Sequence, residues 1–191
     1  MNLTNYYWYF QSAIPERICD DIVRYGKSLQ DQMAVTGGYG NRPLDKNQIK
    51  DLKKKRNSDI VWMNDRWIYK EIHPYVYQAN RNAGWNFDWV GSEKCQFTIY
   101  KESQFYDWHQ DSHNKMIDGN IRKLSVTVSL EDGEAYEGGD LEIYTGHEPL
   151  VVQKKKGMTA FFPSYQLHGV TPVTKGTRYS LVVWVHGPAF R

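Results

Sequence analysis

Apolar residues at Ile18, Ile22, Tyr25 and Leu29 recur at the spacing of one helical face, and Pro15 and Glu16 suit a first turn, so the pattern predicts a helix over 14–29. A second helical pattern follows Asn64 and Asp65, both good N-cap types, and carries Trp67, Ile68, Ile72, Val76 and Ala79. Pro74 predicts a kink or a restart within it. Between these helices, residues 33–58 combine a glycine-rich run (Gly37, Gly38, Gly40) with a basic stretch anchored only by Leu44, Ile49 and Leu52. That composition predicts a loop, of the length that often serves as a lid or binding loop. After Asn86 the period shortens. Residues 97–100, 124–130, 141–144, 150–152, 158–162 and 178–186 are β-branched or aromatic runs bounded by Gly, Pro and Asp, and residues 5–10 are aromatic and extended. Helices come first and strands second, which predicts an α+β fold with an antiparallel sandwich or barrel.

The strand predicted at 124–130 alternates Ser125, Thr127 and Ser129 with Val126, Val128 and Leu130. By itself this pattern fits a strand with one face in water. It also fits a strand whose hydroxyls line a polar cavity.

The chain has 191 residues, the length of one domain, with no repeat or linker to divide it. Its longest strongly apolar stretch, 179–185, is too short for a membrane span. The N-terminus has neither a basic start nor an apolar run, and the only cysteines are Cys19 and Cys95. These features lead us to expect an intracellular, cytoplasmic protein without a membrane partner. With 24 basic and 22 acidic residues the net charge is +2, too even for a dedicated nucleic-acid binder. Seven of the basic residues lie between Asn41 and Arg56 against two acids, a local excess that reads as a solvated loop, a nucleic-acid patch or a clamp for an anionic partner. Aromatics make up 15% of the chain, enough for a β-rich core or for pocket walls.

Candidate chemistry centres on His109-Gln110-Asp111, which places an imidazole and a carboxylate on one side of an extended segment. One more imidazole would complete the facial triad of non-haem iron enzymes that activate oxygen. Of the remaining histidines, His73 reads as a surface or capping residue, His147 lies in a turn and His186 ends the last strand. His168 opens a β-like run, and ten residues later Arg178 offers a two-pronged cation for a carboxylate. His109 and His113 are spaced as in a helical zinc site. However, Gln110 stands where the catalytic glutamate would be, and nothing around it has a helical pattern.

An ordered set of short motifs spans residues 94–186. They are Tyr100; the run from Tyr106 to Asp111; Arg122-Lys123-Leu124-Ser125; Gly138-Gly139-Asp140-Leu141; Gly157 to Pro163; His168-Gly169-Val170; and Gly176 to Leu181 with Trp184. Together they resemble the prolyl 4-hydroxylase-like branch of the Fe(II)/2-oxoglutarate-dependent oxygenases. The resemblance implies a double-stranded β-helix, or jelly roll, at 91–191, with N-terminal helices from 1–90 packed on its major sheet. It implies iron held by His109, Asp111 and His168, and 2-oxoglutarate anchored at its far carboxylate by Arg178. Tyr100 is expected over the cosubstrate, Trp184 near the metal, and Ser125, Thr127 and Ser129 inside the barrel. Many relatives have a tyrosine where Ser129 stands, so a second hydroxyl or a water is expected to assist Arg178.

The implied reaction uses O2 to decarboxylate 2-oxoglutarate and hydroxylate an unactivated C–H, with ascorbate as the expected reductant. The implied substrate is a prolyl residue in a peptide or protein, held by Tyr106 and covered by a lid at 33–58 that brings in Tyr39 and Arg42. A free amino acid or small metabolite is the alternative, and a metal-binding jelly roll without turnover is a second one. Nucleic-acid demethylation is disfavoured because Trp184 stands where that branch has a second arginine.

Overall fold

The computed structural model describes residues 3–29, 32–33, 45–112 and 118–190. Tyr39, Arg42 and His113 lie outside the described residues, as does most of the segment expected to form a lid. The helices are α1 (Glu16–Ser28), α2 (Lys46–Lys55) and α3 (Arg66–Asn82). In chain order the strands are β1 (Trp8–Phe10), β2 (Gln32–Met33), β3 (Arg56–Asn57), β4 (Asp59–Met63), β5 (Gly91–Ser92), β6 (Cys95–Tyr100), β7 (Phe105–His109) and β8 (Asn120–Ser129). They continue with β9 (Tyr136–Gly138), β10 (Leu141–Ile143), β11 (Leu150–Val151), β12 (Thr159–Pro163), β13 (His168–Val170), β14 (Val173–Gly176) and β15 (Arg178–Pro188).

The larger sheet runs β1-β12-β8-β15-β6-β4-β2, with β5 on the end of β15. The smaller runs β11-β10-β13-β7-β3, and β14 pairs with β9. Every pairing is antiparallel.

Two apolar clusters fix the layers. Ile18 and Ile22 of α1 and Ile68, Ile72 and Val76 of α3 pack with Phe97, Val126, Val128, Phe161, Leu181 and Val183 of the larger sheet. The helices therefore cover one face of that sheet. On its other face, Tyr100, Ala160 and Phe162 join Leu141, Ile143 and Val170 of the smaller sheet. At Gly26, α1 lies directly on the sheet: a Cβ there would sit 2.5 Å from the Phe97 ring, so only glycine allows this approach.

Three expectations change. Residues 46–55 form a helix where the sequence suggested a loop. Asp45 accepts hydrogen bonds from the Asn47 and Gln48 backbone N–H groups, Gln48 Oε1 accepts from the Asp45 N–H, and Leu52 is buried. This capping box satisfies N-terminal donors that the lysine-rich face cannot. α3 runs through Pro74 without restarting; Pro74 is exposed, so the carbonyl it leaves unbonded can be met by water. Asp65 takes the N-cap position of α3, but its carboxylate accepts from the Tyr25 hydroxyl rather than from the helix. Among the described residues no helix is long and apolar enough to cross a membrane.

Candidate functional site

The central strands β6, β8 and β15 alternate between two environments. Odd-numbered Phe97 and Leu181 and even-numbered Val126 and Val128 face the helices. Their neighbours Gln96, Tyr100, Thr127, Arg178, Ser180 and Trp184 face a cavity between the sheets. The hydroxyl face of β8 is thus turned inward, and the solvated alternative is overturned. Ser125 is fully buried and Thr127 nearly so.

Strand pairing brings the histidines together. His109 at the end of β7 is directly opposite His168 at the start of β13. Asp111 is placed by the backbone, its N–H donating to the Ser164 carbonyl. One ligand-type atom from each of His109, Asp111 and His168 lies within 4.8 Å of the others. His109 Nε2 is 3.6 Å from Asp111 Oδ1, and His168 Nε2 is 3.5 Å from Oδ2. Each imidazole donates through Nδ1 to a backbone carbonyl, Asp107 at 2.8 Å and Gln166 at 2.9 Å. That fixes the tautomer and points both Nε2 lone pairs toward the carboxylate, the arrangement a divalent metal needs.

Further contacts hold these groups in place. The Ser125 hydroxyl donates to Asp111 Oδ2 at 2.7 Å and lies 3.0 Å from the Ser164 hydroxyl. Tyr106 stacks on His109 with ring centroids 3.5 Å apart. Arg122 grips Glu93 with two nitrogens at 2.6 and 2.7 Å, reaches the Asp111 carbonyl, and lies 3.9 Å over the Trp184 ring.

Burial works against the charged form of Asp111, but the imidazoles of His168 and His109 and the Ser125 hydroxyl outweigh it and hold the carboxyl well below its ordinary range. Burial pushes His168 down to about 4, against the attraction of Asp111. Burial likewise pushes the Tyr106 phenol up to about 12, although the nearby Arg56 cation opposes it. The site therefore offers the ionised Asp111 carboxylate and an unprotonated His168 near pH 7, as metal ligation requires.

Arg178 is buried, donates to the Ser180 hydroxyl at 3.0 Å and lies 5.2 Å over the Tyr100 ring, its neighbour in register. Arg178, Tyr100, Thr127, Tyr106 and Trp184 all line the cavity with His109, Asp111 and His168. Ser129 does not. It pairs with Ser180 across the strands, and Ser180 supplies the hydroxyl that Arg178 uses. His73 is set apart on α3, bonded to the Ser92 hydroxyl and packed on Trp89.

The sequence reading missed Arg56. It lines the cavity with 5% of its surface exposed, donates from Nε to Ser58 Oγ at 3.0 Å and lies 4.4 Å over the Tyr106 ring. A signal existed in the switch from the basic run to the alternating Arg56, Ser58, Ile60, but four consecutive cations at 53–56 masked it. Gln96, which donates to Thr98 inside the sheet, was also missed.

Comparison with known proteins matches residues 95–186 to the model of the 2OG-Fe(II) oxygenase superfamily. A PKHD-type hydroxylase of Alteromonas mediterranea is 41% identical over 93 residues, covering 47% of this chain and 41% of that protein. A PKHD-type hydroxylase of a Synechococcus strain is 36% identical over 138 residues, covering 69% of this chain and 59% of its own. The chain thus spans about half the length of these relatives. Among solved structures, a Pseudomonas putida prolyl-4-hydroxylase superposes with a TM-score of 0.72 at 16% identity, covering 98% of this chain and 96% of that one. The viral collagen prolyl hydroxylase of Paramecium bursaria Chlorella virus-1, in its 2OG complex, gives 0.69 at 20% identity, over 95% and 96%. At these identities the structural likeness establishes a shared fold.

Proposed function

Because residues 95–186 of this chain belong to the 2OG-Fe(II) oxygenase superfamily, we propose that it is an Fe(II)- and 2-oxoglutarate-dependent dioxygenase that hydroxylates a prolyl residue in a peptide or protein. The observation that carries this reading is the convergence of His109, Asp111, His168 and Arg178 on one cavity. Two imidazole nitrogens and a carboxylate suit Fe(II), so these three side chains are the proposed metal ligands. Iron bound there would supply the oxygen activation that no side chain can perform.

The remaining roles fall to the chain itself. Arg178, steadied by Ser180, pairs with the far carboxylate of 2-oxoglutarate, and Tyr100 flanks it. Thr127 borders the same space. Tyr106 and Trp184 wall the side on which a substrate ring would lie. Burial of Asp111, His168, Arg178 and Trp184 limits the access of bulk water to the reacting atoms. In balance, 2-oxoglutarate and O2 give succinate and carbon dioxide, one oxygen atom entering succinate and the other the substrate C–H. Ascorbate is the proposed reductant, and the cytoplasm the proposed location.

The two facing sheets are read as the jelly roll of this superfamily, with 1–90 as its supporting elements and 91–191 as its core. The prolyl assignment is supported by the PKHD-type relatives and by likeness to prolyl hydroxylases, including one from Trichoplax adhaerens bound to a hypoxia-inducible-factor peptide, with a TM-score of 0.62. Of the lid expected over the substrate at 33–58, residues 34–44, with Tyr39 and Arg42, lie outside the described residues, and Lys46–Lys55 form α2. Incubating the protein with Fe(II), 2-oxoglutarate and a panel of proline peptides tests the proposal. A mass gain of one oxygen on proline and stoichiometric succinate are expected. Absence of succinate under every condition would overturn it.

A further inference from the structure

Among the described residues, three buried side-chain polar atoms lack a hydrogen-bond partner: Trp8 Nε1, Arg56 Nη2 and Trp184 Nε1. Arg56 and Trp184 both line the cavity that holds the triad. Buried donors without acceptors are costly, and a buried guanidinium without a counter-charge more so. No carboxylate pairs with Arg56 among the described residues. Its only polar contact there is the Ser58 hydroxyl, and its face is covered by Tyr106. Of the internal stretches outside the described residues, 34–44 and 113–117 contain no acid, and 30–31 contains Asp31. The nearby acids are committed: Glu93 to Arg122, and Asp111 to Ser125 and the imidazoles.

The charges that line the cavity are Arg56, Arg178 and Asp111, a net single positive charge once both imidazoles bind the metal, which requires them unprotonated. On the function proposed above, a ferrous dication and a 2-oxoglutarate dianion cancel each other and Arg178 takes the dianion's far end. One positive charge, on Arg56, is left over. A neutral peptide carbonyl would satisfy a hydrogen bond but not that charge, whereas a carboxylate satisfies both.

We propose that Arg56 is the anchor for a carboxylate of the primary substrate, so that the proline hydroxylated carries a free carboxylate, either as the free imino acid or as the C-terminal residue of a peptide. This rests on the hydroxylase reading; a C-terminal proline narrows its substrate class, and free proline departs from the peptide or protein substrate proposed above. Arg56 reaches the cavity from the smaller sheet, where its strand pairs with β7, while Arg178 enters from the larger sheet. Two carboxylate ligands can then be bound by two different arginines. The Trp184 indole N–H, also without an acceptor, is a second donor for the same ligand.

The test is calorimetric and needs no turnover. The full chain, loaded with Mn(II) and 2-oxoglutarate under nitrogen, is titrated with L-proline, prolinamide, glycyl-proline and glycyl-prolinamide. Each acid is expected to bind about 10- to 100-fold tighter than its amide, the range of a charge-assisted hydrogen bond. The two acids distinguish free proline from a peptide terminus. In Arg56→Gln the acid preference is expected to vanish while 2-oxoglutarate affinity holds, and Arg56→Lys is expected to restore part of it. Equal affinity for acids and amides in the wild type overturns the inference without any variant. So does failure of all four ligands to bind, or an Arg56→Gln effect on 2-oxoglutarate alone. Binding of 2-oxoglutarate, measured first in the same cell, reports separately on the general hydroxylase reading.

Discussion

Along β6, β8 and β15, successive residues live in different surroundings although most are buried. Phe97, Val126 and Leu181 meet the helices and are wholly apolar, whereas Gln96, Thr127 and Arg178 meet the cavity and are polar. Degree of burial does not separate the two faces. What separates them is the completeness of their contacts. The helix face closes on itself, and even a glycine is needed to admit the Phe97 ring. Of the three buried donors without acceptors among the described residues, the cavity holds two, Arg56 Nη2 and Trp184 Nε1, and only Trp8 Nε1 lies beside the helix-face cluster. One face supplies stability, and the other gives some of it up for a site that only ligands complete.

Substitutions on the two faces ought therefore to fail differently. The largest effect is expected for Asp111→Ala, which removes a proposed metal ligand. Succinate formation is expected to disappear, and Mn(II) affinity measured by electron paramagnetic resonance to fall beyond the roughly 10–100-fold typical of changes to supporting residues. Its melting temperature is expected to stay within a few degrees of wild type. Undiminished turnover would remove Asp111 from the site.

Next comes the opposite face. Phe97→Ala is expected to cost about 3–5 kcal/mol in denaturant unfolding, for the lost burial and the cavity left behind. The protein that remains folded is expected to keep its Mn(II) affinity. A parallel collapse of metal binding would show that the two faces are not independent.

Arg178→Ala is expected to weaken 2-oxoglutarate binding by about 10- to 100-fold with little change in stability, and Arg178→Lys to retain part of the affinity. Calorimetry reads both directly, and unchanged affinity in the alanine variant would exclude the anchor role.

The smallest effect is a pH dependence of the metal-free protein. His168 in the folded chain is held down to about 4, while the unfolded chain takes up its proton near 6.5. In that window the unfolded state binds more protons, so stability falls as pH drops from about 6.5 to 4, by something on the order of 1–3 kcal/mol. Asp111, held low in the fold, adds a further loss only below about 3.9. Thermal melts across this range are expected to slope accordingly, and the slope between 6.5 and 4 to flatten in His168→Gln. A flat wild-type profile would mean that His168 is not buried in neutral form.

The amphipathic helices α1 and α3 were legible because a helix writes its buried face at fixed intervals, and Ile18, Ile22, Ile68 and Ile72 keep to them. α2 was not, because Ile49 and Leu52 among eight polar residues, with only Leu52 buried, make too short a stripe. Its capping box, Asp45 with Gln48, was the clearer local signal. The metal triad and Arg178 were legible as residue types in order along the chain, and the strand register that sets His109 opposite His168 brought them together.

Other features could be decided only in three dimensions. The alternation of Ser125, Thr127 and Ser129 is the same string whether the hydroxyls meet water or a cavity, and only the second sheet, packed over that face, makes it a cavity. The hydroxyl beside Arg178 comes from Ser180 rather than Ser129, because side-chain direction within one strand determined the contact. Arg56 looked like one more cation in a basic run until β3 paired with β7 and carried it inside. A sequence records which groups are available and their local period. Which of two faces is covered, and which of several like charges is deprived of water, depends on what packs against them from far along the chain.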